Sequence, residues 1–484
     1  MAQVDKRNLS MMMDLYELSM SNGYCLRGNG DDHVVFDVFY RKNPDQGGFA
    51  LFAGLEQVVE YLEQLHFEEE DIAWISNLGQ FDPKFIEYLR QYRFRGDVYS
   101  FAEGSVMYPN EPIVTVVASL IDAQMVETAI LSQINHQSII ATKAQRLVKA
   151  AKGRSVADFG ARRAHNMDAA VYGARAAYIG GVDATATVLA AQTFGIPVTG
   201  TMAHSWVMYY GDEFLAFKNF ALTSPDNVVL LVDTYDVLRS GVPNAIRIAK
   251  EILEPMGKRL KGIRLDSGDL AYLSKRARAM LDDAGLHDCI IAASNSLDEY
   301  TITSILDQGG CIDSFGVGER LITAKSDPVL GAVYKLVAVT HNGKMESRVK
   351  VSASVEKITN PGWKKIYRIY NREGYAIADL LALASERIDV GKGAYINPKM
   401  PWQKVTFCQC EAKEMQSIVV RNGRRVGTLA SLPSIRHYVQ QQLSNEIWPE
   451  EQRFENPHMH PLLMTSDYYA MKMQLLGESS GKRE

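Results

Sequence analysis

Seven positions in the middle of this chain fall at or just after the ends of short apolar runs: Asp158, Asp183, His204, Asp233, Asp266, Asn295 and Gly316, spaced 21 to 33 residues apart. Each interval is about one strand plus one helix. In a parallel sheet all such ends lie on one side, so these residues are expected to converge on a single mouth. The set combines an imidazole, able to act as a nitrogen nucleophile or acid–base group, with carboxylates able to hold hydroxyls or a hard cation.

Four local patterns sharpen that chemistry. Gly200-Thr201-Met202-Ala203-His204-Ser205-Trp206 follows a strand-like run; Thr201 or Ser205 can cap a helix whose free N–H groups attract anions, and His204 there can accept a phosphoryl group. The alternative is a histidine satisfied by local hydrogen bonds. Arg264-Leu265-Asp266-Ser267-Gly268-Asp269 sets a guanidinium between carboxylates, read either as bidentate recognition of a planar anion, with Asp266 and Asp269 on ribose hydroxyls or magnesium, or as an internal ion pair. Phe159-Gly160-Ala161-Arg162-Arg163-Ala164-His165 offers paired cations suited to pyrophosphate, or simply a solvated turn. Phe315-Gly316-Val317-Gly318-Glu319-Arg320 is a glycine turn able to cradle a phosphate, without the third glycine of a dinucleotide fingerprint.

The elements that must hold these groups have the right rhythm. Residues 228–232, 262–265, 289–293 and 312–315 are apolar runs suited to strands buried on both faces. Between them Ala245, Ile246, Ala249, Ile252 and Leu253, then Leu270, Leu273, Ala277, Met280 and Leu281, form helical stripes ending near Gly257 and Gly285. Earlier, 34–40 reads as a strand and 55–65 as an amphipathic helix. After about Leu336 the rhythm gives way to a strand-rich stretch with an Asn342-Gly343 turn, running to about Thr428, and then to a helical, polar tail broken at Asn456-Pro457-His458.

With 484 residues, two or three domains are expected. The 52 basic and 57 acidic residues leave a charge of −5, which gives no support to nucleic-acid or membrane-surface binding. Five scattered cysteines argue against a secreted disulfide framework; Cys408 and Cys410 read as thiols on a strand or as half of a metal site. Because no apolar run is long enough to span a bilayer, a soluble cytoplasmic protein is expected.

Taken together, the stretches 13–20, 36–44, 101–113, 127–136, 158–165, 200–206, 264–269, 294–298, 316–336 and 448–458 resemble the nicotinate phosphoribosyltransferase family, in family order and along nearly the whole chain. The resemblance implies an α/β fold: an irregular, incomplete α/β barrel with an α+β sandwich-like domain formed by N- and C-terminal segments. The corresponding boundaries are 1–130 for an N-terminal α+β domain and 131–336 for the barrel. A strand-rich part, 337–428, would pack with the N-terminal domain, and 429–484 would form a helical tail. It also implies joining of nicotinate to phosphoribosyl pyrophosphate (PRPP) with ATP hydrolysis, Mg2+ accompanying ATP and PRPP, in a homodimer with composite sites.

By the same resemblance, His204 is the phosphorylated histidine and acts in catalysis with Asp266 and Arg264. Tyr16, Thr201, Arg264 and Phe159 contact nicotinate, Tyr16 from the partner subunit. Arg162, Asp183, Ser205, Ser267, Gly268, Asn295, Gly316, Gly318 and Glu319 serve PRPP and its phosphates. The metal ligands stay unassigned. Glu319 departs from the family, which often has threonine there; a carboxylate beside a phosphate is unfavourable, so it is expected to turn away. Nicotinamide lacks the carboxylate that Arg264 would grip, and quinolinate carries two. A sugar-phosphate aldolase or isomerase would call for a Schiff-base lysine or a catalytic glutamate at a strand end, and the convergent set holds neither.

Overall fold

The structure, a computed structural model, describes residues 7–352 and 357–481. The chain divides into two compact units, one of residues 140–328 and one made from 1–139 together with 329–484.

The first of these units is built on six parallel strands, in the order Ala184–Thr185, Ser155–Asp158, Ser314–Val317, Ile290–Ser294, Gly262–Leu265, Val229–Leu231. Val156, Ile263, Leu265, Ile291, Ala293, Phe315 and Val317 are almost wholly buried, as expected for strands covered on both faces. The helices Met167–Ile179, Glu213–Thr223, Leu270–Asp283 and Glu299–Asp307 start on Asn166, Asp212, Asp269 and Asp298, whose side chains accept backbone N–H groups of the first turn. Val198 adds a single parallel bridge to Thr185 at one edge of the sheet. The chain that follows reaches the other edge, where His204 meets Thr234 just past the Val229–Leu231 strand. The sheet therefore curls into an incomplete barrel, joined across its gap by side chains instead of a strand ladder.

A buried ion cluster ties this unit together. Glu299, with its side chain fully buried, receives Lys143 Nζ at 2.8 Å and Arg146 Nε at 2.7 Å. Neutralising the carboxylate would remove one negative charge from between two buried cations, and removal of one partner from such a pair costs about 3–5 kcal/mol. We expect Glu299→Gln to lower the unfolding free energy by about that amount, read as a lower denaturant midpoint at an unchanged m-value.

The unit made from the chain ends is α+β. Its larger sheet is antiparallel, ordered Lys344–Ser347, Val333–His341, His33–Phe39, Val114–Ser119, Asp97–Ser100, Ser417–Arg421, Arg424–Arg425. Asn342 and Gly343, at φ of 50° and 74°, form the tight turn between the first two, the backbone geometry a two-residue hairpin demands. The second sheet runs Lys404–Val405, Tyr395–Ile396, Leu462–Met464, Ala376–Leu383, Lys364–Tyr370, Glu411–Glu414. The tail is thus not helical throughout. Between the helices Leu432–Asn445 and Ser466–Gly481, Leu462–Met464 enters this sheet parallel to Ala376–Leu383, because Pro461 O and Thr465 N complete a ladder with Asp379 N and Leu381 O. Among the described residues, no helix is long and apolar enough to cross a membrane.

Candidate active site

Arg264 is the hub of the barrel rim. It stands near the end of the Gly262–Leu265 strand with its side chain 13% exposed. Nε donates to Ser294 Oγ at 2.9 Å, one terminal nitrogen to Thr201 Oγ1 at 3.1 Å, and the other to Asp266 Oδ1 at 3.1 Å. Ser294 also donates to Asp266 Oδ1, closing a three-membered ring of side chains. The guanidinium carbon lies 5.3 Å from the centre of the Phe159 ring. Burial pushes the Asp266 carboxyl up, but the Ser294 hydroxyl and the Arg264 charge outweigh burial and hold it below the usual carboxylate range. The internal ion pair and the anion-recognition reading are therefore compatible. One bond to Asp266 fixes the fork, and a guanidinium has donors to spare.

His204 opens the helix His204–Tyr210. Its Nδ1 lies 3.1 Å from Thr234 Oγ1, while Nε2 faces two carboxylates, Asp266 Oδ2 at 3.7 Å and Asp233 Oδ1 at 3.9 Å. The latter two are charge contacts, longer than hydrogen bonds. Asp233 is nearly buried. Its Oδ2 accepts from Asp266 N at 2.9 Å and from Ser267 Oγ at 2.6 Å, and its Oδ1 is buried with no hydrogen-bond partner. His204 and Arg264 thus flank the same carboxylate, that of Asp266, on one face of the barrel.

The stretch read as a glycine turn instead has Gly316 within the Ser314–Val317 strand, against the Phe159 ring, and Gly318 just past the strand end. A Cβ on Gly316 would sit 2.5 Å from that ring, and one on Gly318 would sit 3.3 Å from Phe159 O. Gly316 is obligatory for that close approach. Substituting alanine should push the ring toward Arg264, so Gly316→Ala is expected to lower kcat/KM by at least tenfold while leaving the melting temperature within a few degrees. Steady-state kinetics beside a thermal melt would check this. Glu319 opens the short helix Glu319–Ile322 and turns to Lys325, whose Nζ lies 2.6 Å from its Oε1. That bond holds the Glu319 carboxyl below its ordinary range, with Arg163 and Arg320 adding to the effect. Asn295 and Ser296, at φ of 88° and 50°, form a left-handed turn after the Ile290–Ser294 strand, and Gly268 turns the chain after Ser267.

Asp183, Asp158 and Asp269 sit otherwise than the sequence expectation had them. Asp183 does not reach the mouth. It precedes the Ala184–Thr185 strand, and its carboxylate accepts from Ser155 Oγ and Val156 N at 3.0 and 3.1 Å, at the entry end of the sheet. In a two-residue strand the start and the end lie so close in sequence that spacing cannot separate them. Asp158 is at the exit end but fully buried, spanning Gly160 N and Thr185 Oγ1 at 2.8 Å each; burial raises its carboxyl despite those bonds. Asp269 caps the helix Leu270–Asp283 through Tyr272 N and is committed there. Arg162 and Ser205 are exposed. Tyr16 is 42% exposed on the helix Leu15–Arg27, in the unit made from the chain ends. Thr234 and Ser294 had no assigned role, and Asp233 was one of the seven convergent positions without a task; the run of acid and hydroxyl side chains at successive strand ends was the available signal.

The donor set suits magnesium carried by phosphates. Asp233 Oδ1 and Asp266 Oδ2 are hard oxygens facing the same imidazole, and such a site uses one or two carboxylates with phosphate oxygens completing the shell. Among the described residues, no group of three or more His, Cys, Asp or Glu side chains could hold a metal by itself.

An incomplete α/β barrel with a carboxylate-buttressed histidine, an arginine fork and a glycine-lined strand end on one rim defines an enzyme class that works on small anionic and phosphorylated substrates. Family models narrow it. The nicotinate phosphoribosyltransferase N-terminal domain matches residues 11–135, the family domain 154–364 and the C-terminal domain 363–472. Nicotinate phosphoribosyltransferase of Bacillus subtilis is 45% identical over 99% of this chain and 97% of its own. The Mycobacterium tuberculosis nicotinate phosphoribosyltransferase pncB2 is 46% identical over 74% of this chain and 75% of its own. The crystal structure of human nicotinic acid phosphoribosyltransferase superposes with a TM-score of 0.85 at 28% identity, covering 96% of this chain and 99% of that one. This chain belongs to the nicotinate phosphoribosyltransferase family.

Proposed function

We propose that the chain joins nicotinate to PRPP, yielding nicotinate mononucleotide and pyrophosphate, with ATP hydrolysed to ADP and phosphate through a phosphohistidine at His204. This would be the first step in salvage of nicotinate into NAD, carried out in the cytoplasm by a homodimer, with Tyr16 of the partner subunit covering the base. The observation that carries the reading is the shared carboxylate: the nucleophile and the anion-binding fork stand on either side of Asp266.

In this mechanism the free donors of Arg264 take the nicotinate carboxylate, Thr201 adds a hydroxyl, and Phe159 backs the guanidinium. The pyridine nitrogen attacks C1 of the ribose as the bond to pyrophosphate breaks, and Arg162 and the backbone N–H groups at Gly318 and its neighbours just past the Ser314–Val317 strand hold phosphates. Asp266, Ser267, Gly268 and Asn295 line the ribose side. Asp233 and Asp266 would hold Mg2+ together with phosphate oxygens, and the ion would supply charge neutralisation for the leaving group when bound.

For the ATP step, the carboxylates facing Nε2 keep the proton on that nitrogen. Nδ1 then offers its lone pair to the γ-phosphorus, the bond to ADP breaks, and water later returns the phosphoryl group as phosphate. The added charge of about −1.5 to −2, if phosphohistidine behaves like other phosphorylated side chains, acts on the neighbouring loops and tightens substrate binding. The test is pyrophosphate release from PRPP with nicotinate, nicotinamide or quinolinate, each with and without ATP. Preference for nicotinate and stimulation by ATP are expected; preference for nicotinamide would refute the substrate assignment.

A further inference from the structure

A second set of ionisable groups, untouched by this mechanism, is buried in the unit made from the chain ends. Arg368, on the strand Lys364–Tyr370, donates to both oxygens of Asp379 on the neighbouring strand at 2.9 and 2.8 Å, and to Val106 O at 3.0 Å. Glu111 lies 3.8 Å from the same guanidinium. His460 enters from a largely exposed loop with its side chain 1% exposed. Its Nδ1 is 3.2 Å from Glu451 Oε1 and its Nε2 is 3.5 Å from Asp379 Oδ1. Tyr108 closes the cluster: its ring stacks on the imidazole at 3.9 Å between centroids, and its hydroxyl donates to Glu451 Oε2 at 2.6 Å.

An ionised carboxylate only accepts, so Nδ1, at hydrogen-bond distance from Glu451 Oε1, carries a proton, and the Asp379 carboxylate facing Nε2 as a charge contact favours a second proton there. Burial, with Asp379 beside it, pushes Glu111 well above the ordinary carboxylate range. The Arg368 guanidinium and the His460 ring thus face the carboxylates of Asp379 and Glu451 at close range. The segment 446–464 that carries His460 docks on the same strand as its partner: Ala376 N donates to Glu446 O, Asp379 N donates to Pro461 O, and Trp448 stacks on Tyr375 at 4.1 Å.

We propose that His460 is a proton-operated clasp, its imidazolium pinning the 446–464 segment to the Ala376–Leu383 strand and releasing it when the proton is lost. The groups that face it are Asp379, Glu451, Arg368, Glu111 and Tyr108, with Tyr40 and Tyr370 behind them, their hydroxyls raised by burial. Burial pulls His460 down, but the facing carboxylates push it up and win. A histidine raised above its unfolded value contributes fully below about 6.5, and the contribution is lost as pH rises through the folded value. Glu111, also raised, acts in the same direction. Asp379, depressed, acts only at the acid end.

The full-length protein should therefore show hydrogen-exchange protection of 446–464, corrected for intrinsic rates, that falls up to about tenfold per pH unit above 6.5. His460→Gln should abolish most of that pH dependence, and Glu111→Gln should remove a smaller part. NMR of the His460 ring in the wild-type protein gives a second readout independent of whether the variants fold. Titration well above 6.5 supports the clasp. A ring that titrates at or below 6.5, or a His460→Gln protein with the wild-type pH profile in this segment, overturns it.

Discussion

Arg264→Ala should raise the KM for nicotinate by roughly 100-fold, since a charge-assisted bidentate contact contributes about 3 kcal/mol. The guanidinium also holds Thr201, Asp266 and Ser294 in place, so kcat is expected to fall as well. Arg264→Lys separates the two effects. It keeps the positive charge but loses the planar fork that reaches three partners at once, and most of the loss should persist. Steady-state kinetics with nicotinate and nicotinamide check this: the penalty should be large for nicotinate and small for the uncharged amide. Equal penalties for the two bases would detach Arg264 from carboxylate recognition.

Removal of the imidazole has a different signature. His204→Ala should retain transfer at the ATP-independent rate while losing the whole of the ATP stimulation. It should also lose any acid-labile label from γ-phosphate-labelled ATP. The imidazole is part-exposed and held by one hydrogen-bond-length contact, to Thr234, beside two longer charge contacts, so the variant should fold. If His204→Ala kept full ATP-stimulated turnover, the phosphohistidine would have to be abandoned. Both measurements use the same pyrophosphate assay, which makes the contrast between a binding defect and a coupling defect direct.

Much of the barrel unit was legible in the sequence because its strands are buried on both faces. The runs 228–232, 262–265 and 289–293 are short and continuous, and the polar residue after each sits on the exit side of the sheet by geometry alone. Asp233 and Asp266 illustrate this. The side chain of Ser267 bonds to Asp233, thirty-odd positions earlier in the chain, and only the parallel ladder brings them together. Asp183 shows the limit: beside a strand of two residues, spacing along the chain does not tell the entry end from the mouth. The orientation of Glu319 followed from electrostatics, although its partner Lys325 did not. The Leu462–Met464 strand was hidden because three apolar residues after a proline carry no periodicity to read.

The order in which the ribosome delivers these units has its own consequence. Residues 140–328 are contiguous, so they can collapse as soon as they emerge, whereas the other unit is spliced from both ends of the chain. The strand His33–Phe39 pairs early with Val114–Ser119 on one side. Its other edge waits for Val333–His341, made roughly 300 residues later, or about 15–60 s at typical elongation rates. During that interval an apolar strand presents open backbone groups to whatever passes. Nascent chains of this protein should therefore depend on chaperones that shield the amino-terminal half, and a messenger truncated before codon 329 should yield aggregate in preference to a half-sized soluble product.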